Sequence, residues 1–299
     1  MPIRPNILTN ATARAQYVAG CLALKAQFTG VTTTSLGIAG ITRPVSTWDR
    51  FVAWHHAVMG VAHSAPIFLP WHRMMLRTLE QLIGQAVNNP NFGLPYWDWA
   101  FDGQLTPAAQ LASPVWANTC MGSAASAPGS FTLAAFPVKL EVDFANNLRQ
   151  VNRALVRQRG QGIATLPNKA ATAGALTQTP YDAAPWNRMA VSFRNRVEGW
   201  MGPGPQLHNR VHVWVGGDMS PSTSPNDPVF YLNHCNEDRI WERWMTQPGG
   251  SRSYQPGALG AAPAGQRINS PMASPFGPSR TPAQLLNMTA IYTYDNLAV

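Results

Sequence analysis

The 299-residue sequence predicts a mainly α-helical fold, read as a single domain over residues 1–299. Three observations carry this expectation. Apolar residues recur with helical period in several long segments. Hydrophobic residues make up 45% of the chain and charged residues only 12%, enough for a large core and too few charges for a disordered chain or a coiled coil. No internal repeat appears, and no linker separates two cores. With 24 glycines and 26 prolines, above the usual share of roughly 12% for the two together, long irregular loops and few short strands are expected around the helices.

A first helix is predicted from Ala11 to Gln27, with Tyr17, Cys21 and Leu24 on one stripe. GVTTTSLGIAG follows as a loop. Ser46, Thr47, Trp48 and Asp49 resemble a capping box and open a second helix that carries Phe51, His55 and Val58 at i, i+4 and i+7. FLPWHRMMLRTLEQLIGQ opens a third. Pro70 suits its first turn, and His72, Met75, Leu76, Leu79 and Ile83 share a face. LPYWDWAFDG reads as an aromatic turn, and residues 102–140 as a long surface excursion with short strands.

Arg149, Arg153 and Arg157 recur at i, i+4 and i+8 opposite Leu148, Val151 and Leu155, which reads as a helix with a solvated basic face. In NRMAVSFRNRVEGW, Met189, Phe193, Val197 and Trp200 align on a further helix. SPNDPVFYLNHCNEDRIWERW is the last strong helix, with Asn226 or Asp227 to cap it and Pro228 to enter it. The tail from Gly249 is loop-rich.

The net charge of +8 comes mostly from arginine. No recognition motif accompanies it, so nucleic acid is not expected as a partner; an acidic partner or anionic substrate ranks behind a plain solvated face. Three cysteines, Cys21, Cys120 and Cys235, make no disulfide framework and read as buried thiols. The N-terminal stretch MPIRPNILTNATARAQ has no apolar signal core. Synthesis in the cytoplasm is therefore expected, with any export depending on a partner. No run approaches 18 apolar residues, so no membrane span is expected.

The seven histidines fall in two groups, His55, His56, His63 and His72, then His208, His212 and His234. Most lie on stripes aimed at the core. A buried imidazole needs partners for both nitrogens, and a metal ion satisfies several at once. His208 and His212 sit one turn apart and His234 lies on the next helix, which makes one site. His55, His63 and His72 make another, with His56 pointing elsewhere. No carboxylate shares the ligand spacing, as hydrolytic di-metal sites and non-haem iron usually require. Imidazole-only coordination favours copper, with three-histidine zinc sites as the alternative.

HSAPIFLPWHR (His63–Arg73), LPYWDW (Leu94–Trp99), EGW (Glu198–Trp200), LHNRVHVWVGG (Leu207–Gly217) and SPNDPVFYLNH (Ser224–His234) together resemble the tyrosinase family of type 3 copper proteins. The likeness is greatest to its short bacterial tyrosinases and o-aminophenol oxidases. It implies a central four-helix bundle holding a dicopper centre, with one copper on His55, His63 and His72 and the other on His208, His212 and His234. It further implies dioxygen as co-substrate, ortho-hydroxylation of monophenols, and oxidation of o-diphenols to o-quinones. A water held by Glu198 and Asn209 would help form phenolate, since a phenol near pKa 10 is mostly protonated at neutral pH.

Phe68 and Phe230 are expected to pack around the metal pair, Asp238 to orient a ligand imidazole, and the loop from Asp218 to Thr223 to form a lip of the substrate entrance. The sequence departs from close bacterial relatives at Asn233, expected beside the substrate funnel, and at Val61, where some relatives carry a cysteine linked to the histidine two positions on. Cys235 follows a ligand by one residue and points about 100° away on a helix, so it is not expected to bind metal. No shielding C-terminal domain is evident, and a separate caddie protein for copper loading is implied as a partner. The rival readings are an o-aminophenol oxidase in a biosynthetic pathway, a catechol oxidase without monophenolase activity, a dioxygen carrier and a zinc hydrolase.

Overall fold

The computed structural model describes residues 1–122, 131–259 and 261–299. Its helices are α1 (Ala11–Ala26), α2 (Thr47–Ala62), α3 (Phe68–Ala86), α4 (Trp99–Asp102), α5 (Pro107–Leu111), α6 (Lys169–Leu176), α7 (Phe193–Glu198), α8 (Leu207–Val215), α9 (Val229–Thr246) and α10 (Pro282–Leu285). Short strands accompany them: β1 (Ile3–Arg4), β2 (Phe28–Thr32), β3 (Pro44–Ser46), β4 (Val138–Val142), β5 (Leu148–Arg153), β6 (Met272–Ser274), β7 (Gly277–Arg280) and β8 (Thr293–Tyr294). They pair two by two, β1 with β8 in parallel and the other three pairs antiparallel.

The long helices start where local chemistry tells them to. The Asn10 side chain accepts from the Ala13 amide to begin α1, and the Ser46 hydroxyl accepts from the Asp49 amide to begin α2. Asp49 in turn accepts from Ser46 Oγ at 2.6 Å and from Lys25 Nζ at 2.5 Å, which ties α2 to α1. Tyr17, Cys21 and Leu24 of α1 are buried, as their stripe predicts. Helix α1 lies so close to α3 that a Cβ on Gly20 would run into the Ile83 side chain, so no larger residue fits at this crossing. Helix α3 also packs against α9, and so does α8. Helices α2, α3, α8 and α9 form the central bundle, with the imidazoles at its middle.

Four expectations are corrected. The arginine-bearing segment is strand β5, not a helix, and its arginines are not a free basic face. Arg149 and Arg153 bind Glu141 of β4, Arg153 also binds Asp218, and Arg157 binds Asp227. The helix around residue 195 covers only Phe193–Glu198; Met189 and Trp200 lie outside it and are exposed. The stretch from 102 to 140 is not all surface, since Val115, Trp116, Cys120, Phe131 and Phe136 are buried; residues 123–130 lie outside the described part. GVTTTSLGIAG is only partly a loop, because its start completes β2. At α9, Asp227 accepts from the Val229 amide at 2.9 Å, whereas Asn226 donates to the Leu140 carbonyl instead. No helix among the described residues is long and apolar enough to cross a membrane.

The first and last strands of the described chain are locked beneath the bundle. Arg4, fully buried, binds Glu80 of α3 at 2.9 Å and Asp238 of α9 at 2.9 Å, and its guanidinium lies 3.6 Å over the Tyr292 ring. Tyr292 and Tyr294 both donate to Asp238. Removing the cation leaves two buried carboxylates short of a partner. Arg4→Met is therefore expected to destabilise the protein by about 3 kcal/mol, the low end for such a loss because Arg77 and Arg73 still face the two acids. A urea midpoint equal to that of the native protein would contradict this account of the lock.

Candidate metal centre

Four helices aim the six histidines. His55 stands on α2, His63 caps the end of α2, and His72 lies in the second turn of α3. His208 and His212 are one turn apart on α8, and His234 is near the start of α9. The structure brings His55, His63 and His72 together, and His208, His212 and His234 together, with one ring nitrogen from each residue within 4.8 Å of the others in its group. The groups face one another: His72 and His234 stack at 4.1 Å, and His63 lies 6.2 Å from His208. His56 joins neither group and meets the Ser222 hydroxyl at 2.7 Å. Phe68 lies 4.8 Å from His72 and 5.0 Å from His208; Phe230 lies 5.0 Å from His55 and 4.1 Å from His234. Both rings therefore lie against imidazoles of both groups.

The opposite ring nitrogens are held by the main chain. His55 Nδ1 meets the Ser222 carbonyl at 2.6 Å, His72 Nδ1 the Phe68 carbonyl at 2.7 Å, and His212 Nδ1 the Met219 carbonyl at 2.6 Å. His208 Nδ1 lies 3.0 Å from Asn209 Oδ1 and 3.2 Å from the Glu198 carbonyl. These acceptors take the Nδ1 proton, so each Nε2 carries a free lone pair. The Nε2 atoms of His55, His72, His208, His212 and His234 are buried without any hydrogen-bond partner, and at His63 the orphan is Nδ1. Five orphaned Nε2 atoms, with a ring nitrogen of His63 completing the first group, converge in two threes that fit two metal ions. With no carboxylate in either group, the donor set suits copper.

Turns supply these acceptors. Gly216 and Gly217, at φ 62° and 55°, reverse the chain after α8 and bring the Met219 carbonyl back to His212. Gly199, at φ 102°, ends α7 so close to α8 that a Cβ there would collide with the Gln206 carbonyl. This approach sets the Glu198 carbonyl beside His208. Sequence reasoning placed the loop from Asp218 to Thr223 at the entrance, where Ser220 and Pro221 indeed line the cavity, but missed that its carbonyls orient two histidines. Main-chain acceptors leave no residue-type signal, although the Gly-Gly pair marks where the chain turns back.

Above the histidines opens a cavity of about 790 Å³, bordered by Met59, Ser64, Glu198, Trp200, Asn209 and Val213 among others. Glu198 is fully buried. Its Oε1 accepts from the Ser64 amide at 2.5 Å, and its Oε2 faces Arg194 at 3.0 Å. Ser64 holds a positive φ of 55°, uncommon for a residue with a side chain, and in that conformation its N–H points at the carboxylate. Burial raises the Glu198 pKa against the pull of Arg194. Asn209 gives its Oδ1 to His208 and leaves its Nδ2 buried without a partner.

Two expected positions are corrected. Asp238 touches no imidazole; its oxygens are taken by Arg4, Arg73, Tyr292 and Tyr294, and although burial opposes its charge, Arg73 and Arg4 hold its pKa below the usual value. The carboxylate beside His234 is Glu237, with Oε2 at 3.1 Å from Nδ1. Asn233 is fully buried and does not border the cavity, because adjacent helical residues point about 100° apart. Cys235 donates to the Leu94 carbonyl, and burial pushes its thiol up to about 12, which keeps it a neutral thiol.

The family profile described as the common central domain of tyrosinase matches residues 45–247, more than half of the chain. The tyrosinase of Streptomyces antibioticus is 38% identical over 264 residues, covering 83% of this chain and 89% of that one. Grixazone synthase of Streptomyces griseus is 32% identical over 289 residues, covering 83% and 90%. Among solved structures, a single-site mutant of the polyphenol oxidase of Thermothelomyces thermophila superposes with a TM-score of 0.74 at 20% identity, covering 99% of this chain and 89% of that one, which speaks for the fold. This chain belongs to the tyrosinase family. It is a copper-dependent oxidoreductase whose two histidine triads fit a copper pair.

Burial lowers the pKa of all six histidines, that of His55 to about 3 and that of His212 to about 4. In the unfolded chain they titrate near 6.5. Below that pH the unfolded state binds protons that the folded state refuses. The stability this contributes is whole above about pH 6.5 and is lost as the pH falls toward the folded values. The urea midpoint of copper-free protein is expected to drop continuously from about pH 7 to about pH 4.5; a flat midpoint across that window would mean the rings are solvated.

Proposed function

We propose that the protein uses dioxygen to hydroxylate small monophenols ortho to the hydroxyl group and to oxidise o-diphenols to o-quinones. The observation that carries this reading is the pair of histidine triads, their lone pairs converging beneath one open cavity, in a chain 38% identical to a tyrosinase.

His55, His63 and His72 would hold one copper, and His208, His212 and His234 the other. When bound, the two ions supply the redox capacity that couples reduction of dioxygen to oxidation of the ring. The protein's own part is to bind, orient and deprotonate. The cavity admits one aromatic ring, with Met59 and Val213 as apolar walls. Glu198 and Asn209 act on the phenol proton. Asn209 Nδ2 is a donor in need of an acceptor, and the Glu198 carboxylate, with about four acceptor sites against Ser64, Arg194 and the Trp200 side chain, keeps one to spare. A water between them accepts the phenol O–H proton and passes it to the carboxylate, whose raised pKa brings it nearer that of a working base. Arg194 and the Ser64 amide hold the carboxylate in place for this. A separate caddie protein delivering copper belongs to the same reading.

A second reading, an o-aminophenol oxidase in a biosynthetic pathway, draws support from the match to a protein named as a synthase, at lower identity than the match to the tyrosinase. Turnover of tyrosine, catechol and an o-aminophenol by copper-loaded protein separates the two. Activity on the aminophenol alone would replace the first reading by the second. Zinc without copper in active protein would exclude both.

The proton-transfer role makes a sharper demand. Glu198→Gln keeps the shape and removes the base. It is expected to lower monophenol turnover at least tenfold while diphenol turnover falls by much less, since general-base assistance is worth ~10²–10⁴-fold where it is needed. Equal losses on the two substrates would assign Glu198 a purely structural role.

A further inference from the structure

Buried carboxylates in this protein almost all have a cation. Asp49 has Lys25, Glu80 has Arg4, Asp182 and Glu198 share Arg194, and Asp218, Asp227, Asp238 and Glu242 each have their arginines. Asp102, which has none, is instead hydrogen-bonded by Ser113 and Trp97. Glu237 has neither. It is 1% exposed, both of its oxygens lack a hydrogen bond, and the polar group nearest at hand is His234 Nδ1 at 3.1 Å, off the hydrogen-bond axis. Asn233, one turn earlier, approaches its carboxyl group, but neither amide atom makes a well-formed hydrogen bond. A carboxyl group held this way in a dry core costs free energy unless something positive comes near.

Among the histidines His234 is the complementary exception. Four others set Nδ1 against a main-chain or amide oxygen, and His63 faces the Met59 main chain without a well-formed hydrogen bond at Nδ1. His234 alone sets it against an acid, and its Nε2 is free toward the second triad. One imidazole thus stands between an acid without a cation and a site built for one.

We propose that Glu237 is a positioning residue that supplies the counter-charge of the second copper site: acting through the His234 Nδ1–H, it makes His234 a stronger donor and tightens copper held by His208, His212 and His234. This rests on the assignment of the two triads as copper sites. The carboxylate fixes the tautomer that leaves the Nε2 lone pair free and increases its basicity, as carboxylates behind metal-bound imidazoles do. Without metal the same group only destabilises the core. Function and stability therefore pull in opposite directions at this one position.

That opposition is the test. Glu237→Gln and Glu237→Leu are compared with native protein in three measurements: urea denaturation of the copper-free chain, copper binding in competition with a chromogenic chelator, and the midpoint potential of the copper-loaded centre. The copper-free variants are expected to be at least as stable as native. One of the two coppers is expected to bind roughly 10- to 100-fold more weakly, the effect typical of losing such a partner, while the other keeps its affinity. The potential should move positive, because a lost anion disfavours the more highly charged oxidised ion. Unchanged affinity and potential in the folded variants would overturn the proposal. So would a fall in copper-free stability accompanied by equal weakening at both sites, the signature of a packing role. Failure of native protein to bind two coppers would instead refute the site assignment itself, so the two failures are distinguishable.

Discussion

An imidazole has two nitrogens, and a dry core must satisfy both. That requirement organises this molecule. Carbonyls of Phe68, Met219 and Ser222 and the side chain of Asn209 take one nitrogen of each of four rings, so the other has no protein partner left to find. Each such orphan costs about 1–3 kcal/mol in a protein interior, and two clusters of three add up to a serious local penalty that metal binding would offset. The irregular parts of the chain serve the same requirement. The double-glycine reversal after α8 and the tight end of α7 are the places where the main chain bends back to present an oxygen to a ring.

Around this neutral centre several charges are placed inward. Arg4, Arg73, Arg194 and Arg239 are all fully buried, and the first three bind acids that stand on the helices carrying the histidines or packed against them. Arg73 is adjacent in sequence to His72, and Asp238 lies one turn beyond His234, so the Arg73–Asp238 pair bolts α3 to α9 directly behind the stacked His72 and His234 rings. Buried pairs of this kind add little net stability over a well-packed apolar contact, yet breaking one is costly. They therefore hold register: a shift of α3 along α9 by one turn would part both the ions and the rings.

Much of this was legible in the residues, and the limits of legibility have physical causes. The histidine groups could be read because their helices keep a strict period and six imidazoles have few reasons to share a core. The arginine segment misled because spacings of four and eight are even numbers: they place side chains on one face of a helix and equally on one face of a strand. Asp238 and Glu237, at i+4 and i+3 from His234, both fall on its side of the helix. What separated them was Arg4 and Arg73, distant in sequence, which claim Asp238. Asn233 misled through adjacency, since a neighbour of a ligand in sequence is turned away from it in a helix. The carbonyls that hold the rings could not be read at all, because every residue has one. Met189 and Trp200 fitted a helical stripe, but Gly199 stops that helix before Trp200 can join it.

The clasp on Arg4 also has a bearing on biosynthesis. Its partners lie on α3, on α9 and in the strand at residues 293–294, the last of which leaves the ribosome only after both helices have been made. Until then the strand that pairs with the Arg4 backbone is missing, and the helices that carry His72 and His234 lack part of the fastening that draws their far sides together. A nascent chain therefore holds the two helices less firmly while it is still being made, and the fastening behind His72 and His234 is complete only once this late strand has emerged.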